Sequence, residues 1–378
     1  MPTKAPRASN LELLRILCML LIIGDHLTGQ GGIADYSTLP SSFVFCLIGC
    51  GSRIACTVFV LVGSWFMCEQ PFKTRRPLSL WLSLWLYTVP VTLLCRLAGL
   101  DVSLGALRWA AFPAGTRQLW FISDYLVLLL CVPLLNRLLH GLPRRAHKGV
   151  LLVLAVPLVV YPTVFGQDGI LGDTAWMFLY DYLLAAYLRR WPDNRLSRLL
   201  NRPAAALVLG LGLPLANTAI RAVLEYRGAT DSKAFQYIAY YRTALGALPG
   251  LLAALALFHF FKNLDLGSNR FINGLAGTTL GVYILHQVPV LRDFLWNGIF
   301  HAQAHHGSAA YTLLVIVLTF AGCAAIDTLR TRFIMQPLQR SRAFTAFCVK
   351  GDALAAEQAR AFCRHKLRLC DRSYRGRL

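Results

Sequence analysis

The chain has 378 residues, 56% of them hydrophobic and only 15% charged, with a mean hydropathy of +0.52. Water-soluble domains carry about 25% charged residues, and a chain of this length has too little interior to hide so much apolar surface. A formal charge of +20 would suit nucleic acid, but the basic residues fall in short clusters between apolar runs, with no RNP-like motif, helix-turn-helix pattern or zinc-finger spacing; nucleic acid is excluded as a partner, and membrane topology takes its place.

A hydrocarbon core of about 30 Å needs roughly 20 apolar residues per helix. In chain order the sequence predicts ten spans, over 9–28, 45–68, 78–98, 118–139, 149–166, 172–189, 203–223, 240–262, 273–290 and 311–334. The first follows Lys4 and Arg7 but ends in Gly24-Asp25-His26 with no small-residue cleavage site. It is therefore expected to be a retained helix and not a signal peptide. The second opens with Gly49, Gly51 and Arg53, which predicts an irregular or re-entrant lead-in.

Basic residues alternate along the connections. Lys73, Arg75 and Arg76, then Arg137, Arg144, Arg145 and Lys148, then Arg189 to Arg202, then Lys262 and Arg270 fall on one side. The opposite loops hold Asp35, Asp168, Asp173 and Arg292, and a mixed segment at 224–239. The positive-inside rule puts both termini in the cytosol. The expectation is an all-α polytopic membrane protein of the cell membrane. It has a membrane domain over 1–340 and a basic cytoplasmic tail over 341–378, expected to be a disordered end or to lie on anionic lipid. The cysteines, such as Cys18, Cys56 and Cys323, sit mostly in apolar runs with no C-x-x-C or Cys/His metal spacing, so no metal is implied.

Charges inside a membrane are costly and therefore informative. The first helix holds Glu12, Arg15, Asp25 and His26. Arg15 and His26 are eleven positions apart; at 100° per residue that is about 20° beyond three turns, on one face, about 16 Å apart along the axis. A cation at the inner mouth and an imidazole deeper in suit a coenzyme A thioester. Arginine can hold its phosphates, and histidine can take a proton from an acceptor hydroxyl as the acyl group moves outward. The same spacing also suits an arginine reaching to headgroups and an interfacial histidine.

The first helix, NLELLRILCMLLIIGDHL, resembles the acyltransferase-3 family of membrane acyltransferases, whose signature is a basic residue, ten residues, then histidine. FVLVGSWF at 59–66 is similar to the family's second-helix motif, with Gly63-Ser64 in reversed order. LWFISDYLVLLLCVPLLN at 119–136, GTTLGVYILHQVP at 277–289 and IDTLRTRF at 326–333 resemble its later segments. The resemblance covers about 10–340 and implies transfer of an acyl group, usually acetyl, from cytosolic acyl-CoA to a hydroxyl of an extracytoplasmic glycan or lipid-linked saccharide. It carries over His26 as catalytic and Arg15 as the donor-side cation. The extra extracytoplasmic domain that some members carry after the last helix is not expected here, and any second activity is expected from a separate extracytoplasmic partner.

Other polar residues complete the candidate site. Arg53 is expected near His26 in depth, to orient the acceptor or stabilise an oxyanion, or as an interfacial arginine. Tyr283 and His286 share a helix face and are candidate pocket residues, as is Asp124 beside Trp120 and Tyr125. Glu12 and Asp327 stand three residues before Arg15 and Arg330, the spacing of ion pairs. Arg75 and Arg76 serve topology or touch the donor's phosphates. Asp25 adjoins His26, but neighbouring helical residues point about 100° apart, so it is not expected to orient the ring. Ser64, Ser83 and Ser123 have no G-x-S-x-G context, which disfavours serine catalysis and leaves two readings open, a histidine general base and a transient acyl-histidine. Two other classes remain open: a proton-coupled transporter or flippase, for which inverted repeats and broken helix pairs would speak, and a non-catalytic sensor or scaffold.

Overall fold

A computed structural model describes residues 9–169, 171–172 and 174–375, with side chains to 358. Lys4, Arg7 and Asp173 lie outside the described residues, as do the side chains of the tail beyond 358. Helices and their connections make up the whole of the described chain, with no strand.

The helices are α1 (Ser9–Gln30), α2 (Leu39–Met67), α3 (Arg75–Leu97), α4 (Leu104–Ala111), α5 (Trp120–His140), α6 (Arg144–Phe165), α7 (Thr174–Arg190), α8 (Arg195–Leu200) and α9 (Pro203–Tyr226). There follow α10 (Lys233–Thr243), α11 (Leu248–Lys262), α12 (Arg270–Gln287), α13 (Pro289–Ile299), α14 (Ala309–Arg340) and α15 (Arg342–Arg375). Local chemistry sets several starts. Ser232 Oγ accepts from the Phe235 N–H, Asn269 Oδ1 from Phe271 and Ile272, and Ser308 Oγ from Tyr311, each meeting an N–H that the first turn leaves open. Pro289 stands two positions past the last residue of α12 and has no N–H to donate to it; there the chain bends by 80° into α13.

Seven helical stretches among the described residues are long and apolar enough to cross a membrane, and the bent pair α12–α13 would make an eighth. α1 and α7 cover the two remaining expected segments; α7 has 17 residues, and α1 carries Glu12, Arg15, Asp25 and His26 on its length. Outward-facing residues such as Leu130, Val153, Val208, Val317 and Phe333 are apolar and exposed, as a lipid-facing surface requires.

α1 and α2 lie at the centre. α1 packs on α2, α11, α12 and α14, and α2 also meets α7, α9 and α10. In α2, 78% of the most apolar stretch is buried, against 22% in the peripheral α6. α1 and α12 run side by side in the same sense. Ser9 Oγ donates to Asn273 at one end (2.9 Å), and Gln287 Nε2 donates to Gln30 at the other (2.8 Å).

Two expectations are corrected. α2 is one continuous helix through Gly49, Gly51 and Arg53, with no re-entrant lead-in. The glycines there admit neighbours instead: the Arg242 guanidinium lies against Gly49, and Leu21 against Gly51. The tail is not disordered over its described part but forms α15. Its first half is tied down: the Thr74 N–H donates to Asp352 (2.6 Å), Arg137 donates to the Gln358 carbonyl (3.1 Å), and Phe344 lies under Arg75.

Candidate active site

One stripe of α1 organises the site. Glu12, Arg15, Met19, Ile22 and His26 recur at steps of three and four, so they stand above one another on one face. The first four line a cavity of about 310 Å3 that opens between α1, α2, α5 and α12. Its other walls include Phe59 and Gly63 of α2, Phe121 and Tyr125 of α5, and Thr279 and Tyr283 of α12. The lining is mostly apolar, with the charged groups gathered at the Glu12–Arg15 end.

Arg15 is held from three sides. Its Nη1 donates to Glu12 Oε2 at 2.8 Å and its Nη2 to Thr279 Oγ1 at 3.1 Å. The guanidinium lies 5.8 Å from the centre of the Phe59 ring, within cation–π range. The expected i,i+3 pair with Glu12 is therefore present, and Arg15 remains partly exposed. Arg76 donates to Gln70 and lies within electrostatic reach of Tyr125, as Arg15 does. Arg75 points elsewhere: it donates to Gln339 at 2.7 Å, where α14 meets α15.

At the other end of the stripe His26 meets His286, with Nδ1 and Nε2 2.8 Å apart. The geometry settles which nitrogen does what. His286 Nδ1 lies 2.6 Å from the Val282 carbonyl, which can only accept, so Nδ1 carries the proton. In the neutral ring Nε2 is then an acceptor, and His26 Nδ1–H donates to it. His26 Nε2 is left with a free lone pair, the arrangement of a general base. His286 is fully buried and backed by Trp296, whose ring centre is 6.1 Å away. Tyr283 lies 6.2 Å from His26, ring to ring, and forms part of the cavity wall.

The other predicted residues divide. Arg53 lies over the Trp120 ring at 5.6 Å and within electrostatic reach of His26. Asp25 turns away from the imidazole, toward Ser52, Arg53 and Arg242, as its helical position requires. Asp124 is buried and committed to Arg117, at 3.0 Å, and to the Thr174 hydroxyl. Ser64 is buried off the cavity wall, whereas Gly63 lines it, with the Tyr125 hydroxyl where a Cβ would stand. Asp327 and Arg330 pair at 2.9 Å; the Tyr87 hydroxyl donates to Asp327, and Arg330 donates to Ser83 Oγ.

Sequence reasoning missed Thr279, Phe59, Trp296 and Arg242. Thr279 had a signal: Thr279, Tyr283 and His286 follow the same four-and-three spacing on α12 that Arg15, Met19, Ile22 and His26 follow on α1. The others are brought in by contacts far apart in sequence, and nothing local marks them.

A family model described as an acyltransferase domain matches residues 9–328. No curated protein and no solved structure matches the chain.

Proposed function

Because this chain belongs to the acyltransferase-3 family, we propose that it takes an acetyl group from cytosolic acetyl-CoA and passes it to a hydroxyl on an extracytoplasmic glycan or lipid-linked saccharide. The reading places the chain in the cell membrane with both termini in the cytosol, so that the Arg15 end of α1 faces the donor.

The observation that carries it is the alignment of three things on one helix face: Arg15 at the mouth of a narrow cavity, the cavity itself, and His26 beyond it with Nε2 unprotonated. Arg15, with Arg76 nearby, would meet the donor's phosphates. The apolar walls suit a slim pantetheine arm. The acceptor oxygen attacks the thioester carbonyl while His26 Nε2 takes its proton. The carbon–sulfur bond then breaks, and the thiolate leaving group takes a proton from the imidazolium. His286 holds the ring in the required tautomer throughout. A proton-coupled transporter has weaker support, since the matching family is defined by group transfer.

The test is radiolabelled acetyl-CoA given to membranes carrying wild type, His26→Ala or Arg15→Ala. Label on an envelope glycan is expected from wild type alone, with His26→Ala slower by about 10²–10⁴-fold. Equal labelling by both variants would remove the mechanism.

A further inference from the structure

The FVLVGSWF segment of α2 faces α5 through a pair of residues that the proposed chemistry does not use. Phe59 and Gly63 stand one turn apart on α2, and Phe121 and Tyr125 one turn apart on α5, so each pair shares a helix face. The two faces meet rung by rung. Phe59 touches Phe121 edge-on at 6.4 Å. One turn along, Tyr125 is stacked on Phe121 at 6.0 Å, and its hydroxyl comes to rest where a Cβ of Gly63 would stand. Two rings fill the first rung. At the second, a glycine makes room for a phenol.

All four residues line the cavity. Most of its wall is carbon, and most of its polar groups already have partners. Arg15 is bonded to Glu12 and Thr279, and Thr279 Oγ1 donates to the Ala276 carbonyl. The Tyr283 phenol is answered by the Phe121 backbone. The Cys56 thiol is a weak donor. The Tyr125 hydroxyl has no hydrogen-bond partner among the described residues, and it faces the cavity. It therefore offers a hydrogen bond to whatever enters there.

Charge narrows what that is. Tyr125 lies within electrostatic reach of the Arg15 and Arg76 guanidinium groups. With Glu12 beside Arg15, the set holds two positive charges and one negative. One nitrogen of Arg76 is committed to Gln70, as two of Arg15 are to Glu12 and Thr279. A group set among them is best matched as an anion with several acceptor oxygens. An amide of the pantetheine arm has one carbonyl and no charge, and would gain little from the cations. Depth agrees. Phe121 touches Tyr283, which stands beside His26. Tyr125 is a turn away from that end, level with the part of α2 next to Phe59, on whose ring the Arg15 guanidinium lies.

We propose that Tyr125 is a donor-binding residue whose hydroxyl donates to the diphosphate of the acyl-CoA that Arg15 and Arg76 hold, with Gly63 giving it room. The working member of the Gly63-Ser64 pair is then the glycine. The inference rests on the donor named above and adds an uncharged third contact to it, on a helix that carries neither arginine.

The experiment uses the purified full chain in lipid nanodiscs and measures displacement of radiolabelled coenzyme A. The competitors are coenzyme A, 4′-phosphopantetheine, which keeps the arm and one phosphate, and pantetheine, which keeps the arm alone. Wild type should bind phosphopantetheine about tenfold more tightly than pantetheine, or better. Tyr125→Phe should weaken coenzyme A and phosphopantetheine about tenfold, as loss of one hydrogen bond to a charged group does, and leave pantetheine within about twofold. Gly63→Ala, which puts a methyl in the hydroxyl's place, should do the same. In the Tyr125→Phe background it should add no more than about twofold, because the two changes remove one contact. Unchanged pantetheine affinity shows that each variant is folded. Affinities within about twofold of wild type for all three competitors would show the hydroxyl idle and overturn the proposal. Pantetheine weakened along with the phosphate-bearing competitors overturns it too, by placing the hydroxyl on the arm or in the packing of the wall. A wild type that binds coenzyme A no better than pantetheine overturns the phosphate contact. A wild type that binds none of the three overturns the coenzyme A reading itself, and the inference with it.

Discussion

His26 Nδ1 and His286 Nε2 lie 2.8 Å apart, and the Val282 carbonyl behind His286 fixes the direction of that bond. Removing His286 frees His26 to adopt either tautomer and to turn. His286→Ala is expected to lower kcat by about 10²-fold, with KM for acetyl-CoA unchanged. His286→Gln, whose side-chain oxygen can still accept from Nδ1–H, should recover part of the loss. Steady-state kinetics on the two variants test this; an alanine variant at wild-type kcat would show that the pair has no part in setting the base.

Arg15 makes its two polar contacts through two different nitrogens, to Glu12 and to Thr279. A lysine has one ammonium and cannot bridge both in the same plane. Arg15→Lys should therefore raise KM for acetyl-CoA several-fold and leave kcat nearly unchanged, and Thr279→Val should raise it less. Competition by free coenzyme A measures the same loss without chemistry. A lysine variant with wild-type donor affinity would mean that charge alone suffices there.

Asp327 is buried against Gly281, where an added Cβ would overlap its carboxylate. Gly281→Ala should destabilise by about 1–3 kcal/mol through overpacking. Asp327→Ala should cost about 3–5 kcal/mol, since it leaves the Arg330 guanidinium in the interior without its carboxylate. Thermal unfolding in detergent orders the two against wild type; equal Tm values would show that α12 and α14 have room to part.

The start of α3 is met from outside its own sequence, by Asp352 of α15 accepting from the Thr74 N–H. Gly351 allows the approach, because a side chain there would run into Thr74. Asp352→Ala should cost about 1 kcal/mol, as other lost helix caps do, and Gly351→Val more. Both should speed limited proteolysis of the tail while the membrane region stays intact. Unchanged cleavage in both would show that α15 is held by other contacts.

Much of the helical plan follows from apolar run length, because lipid demands it of each segment separately. The Arg15–His26 spacing is similarly local: one helix sets it, and helical geometry converts it directly into a shared face. What the sequence hides is partnership. Asp124 and Tyr125 are neighbours in sequence and both plausible pocket residues, yet Asp124 is taken by Arg117 and Thr174 while Tyr125 lines the cavity. Gly49 looks like a break and is a seat for Arg242, 193 positions further on. The basic tail looks unstructured by composition, and its first half is fixed by contacts to α3 and α5.

The touching rings of Trp120, Phe121 and Tyr283 at the wall of the cavity have a bearing on the cell as a whole. An enzyme that joins reagents from opposite sides of a bilayer risks becoming a leak for protons and ions. On the proposed reading, packed rings in the path mean that only the few atoms of the transferred group need to cross, bonded first to sulfur and then to oxygen. Such a protein can be abundant in an energised membrane without draining the gradient across it.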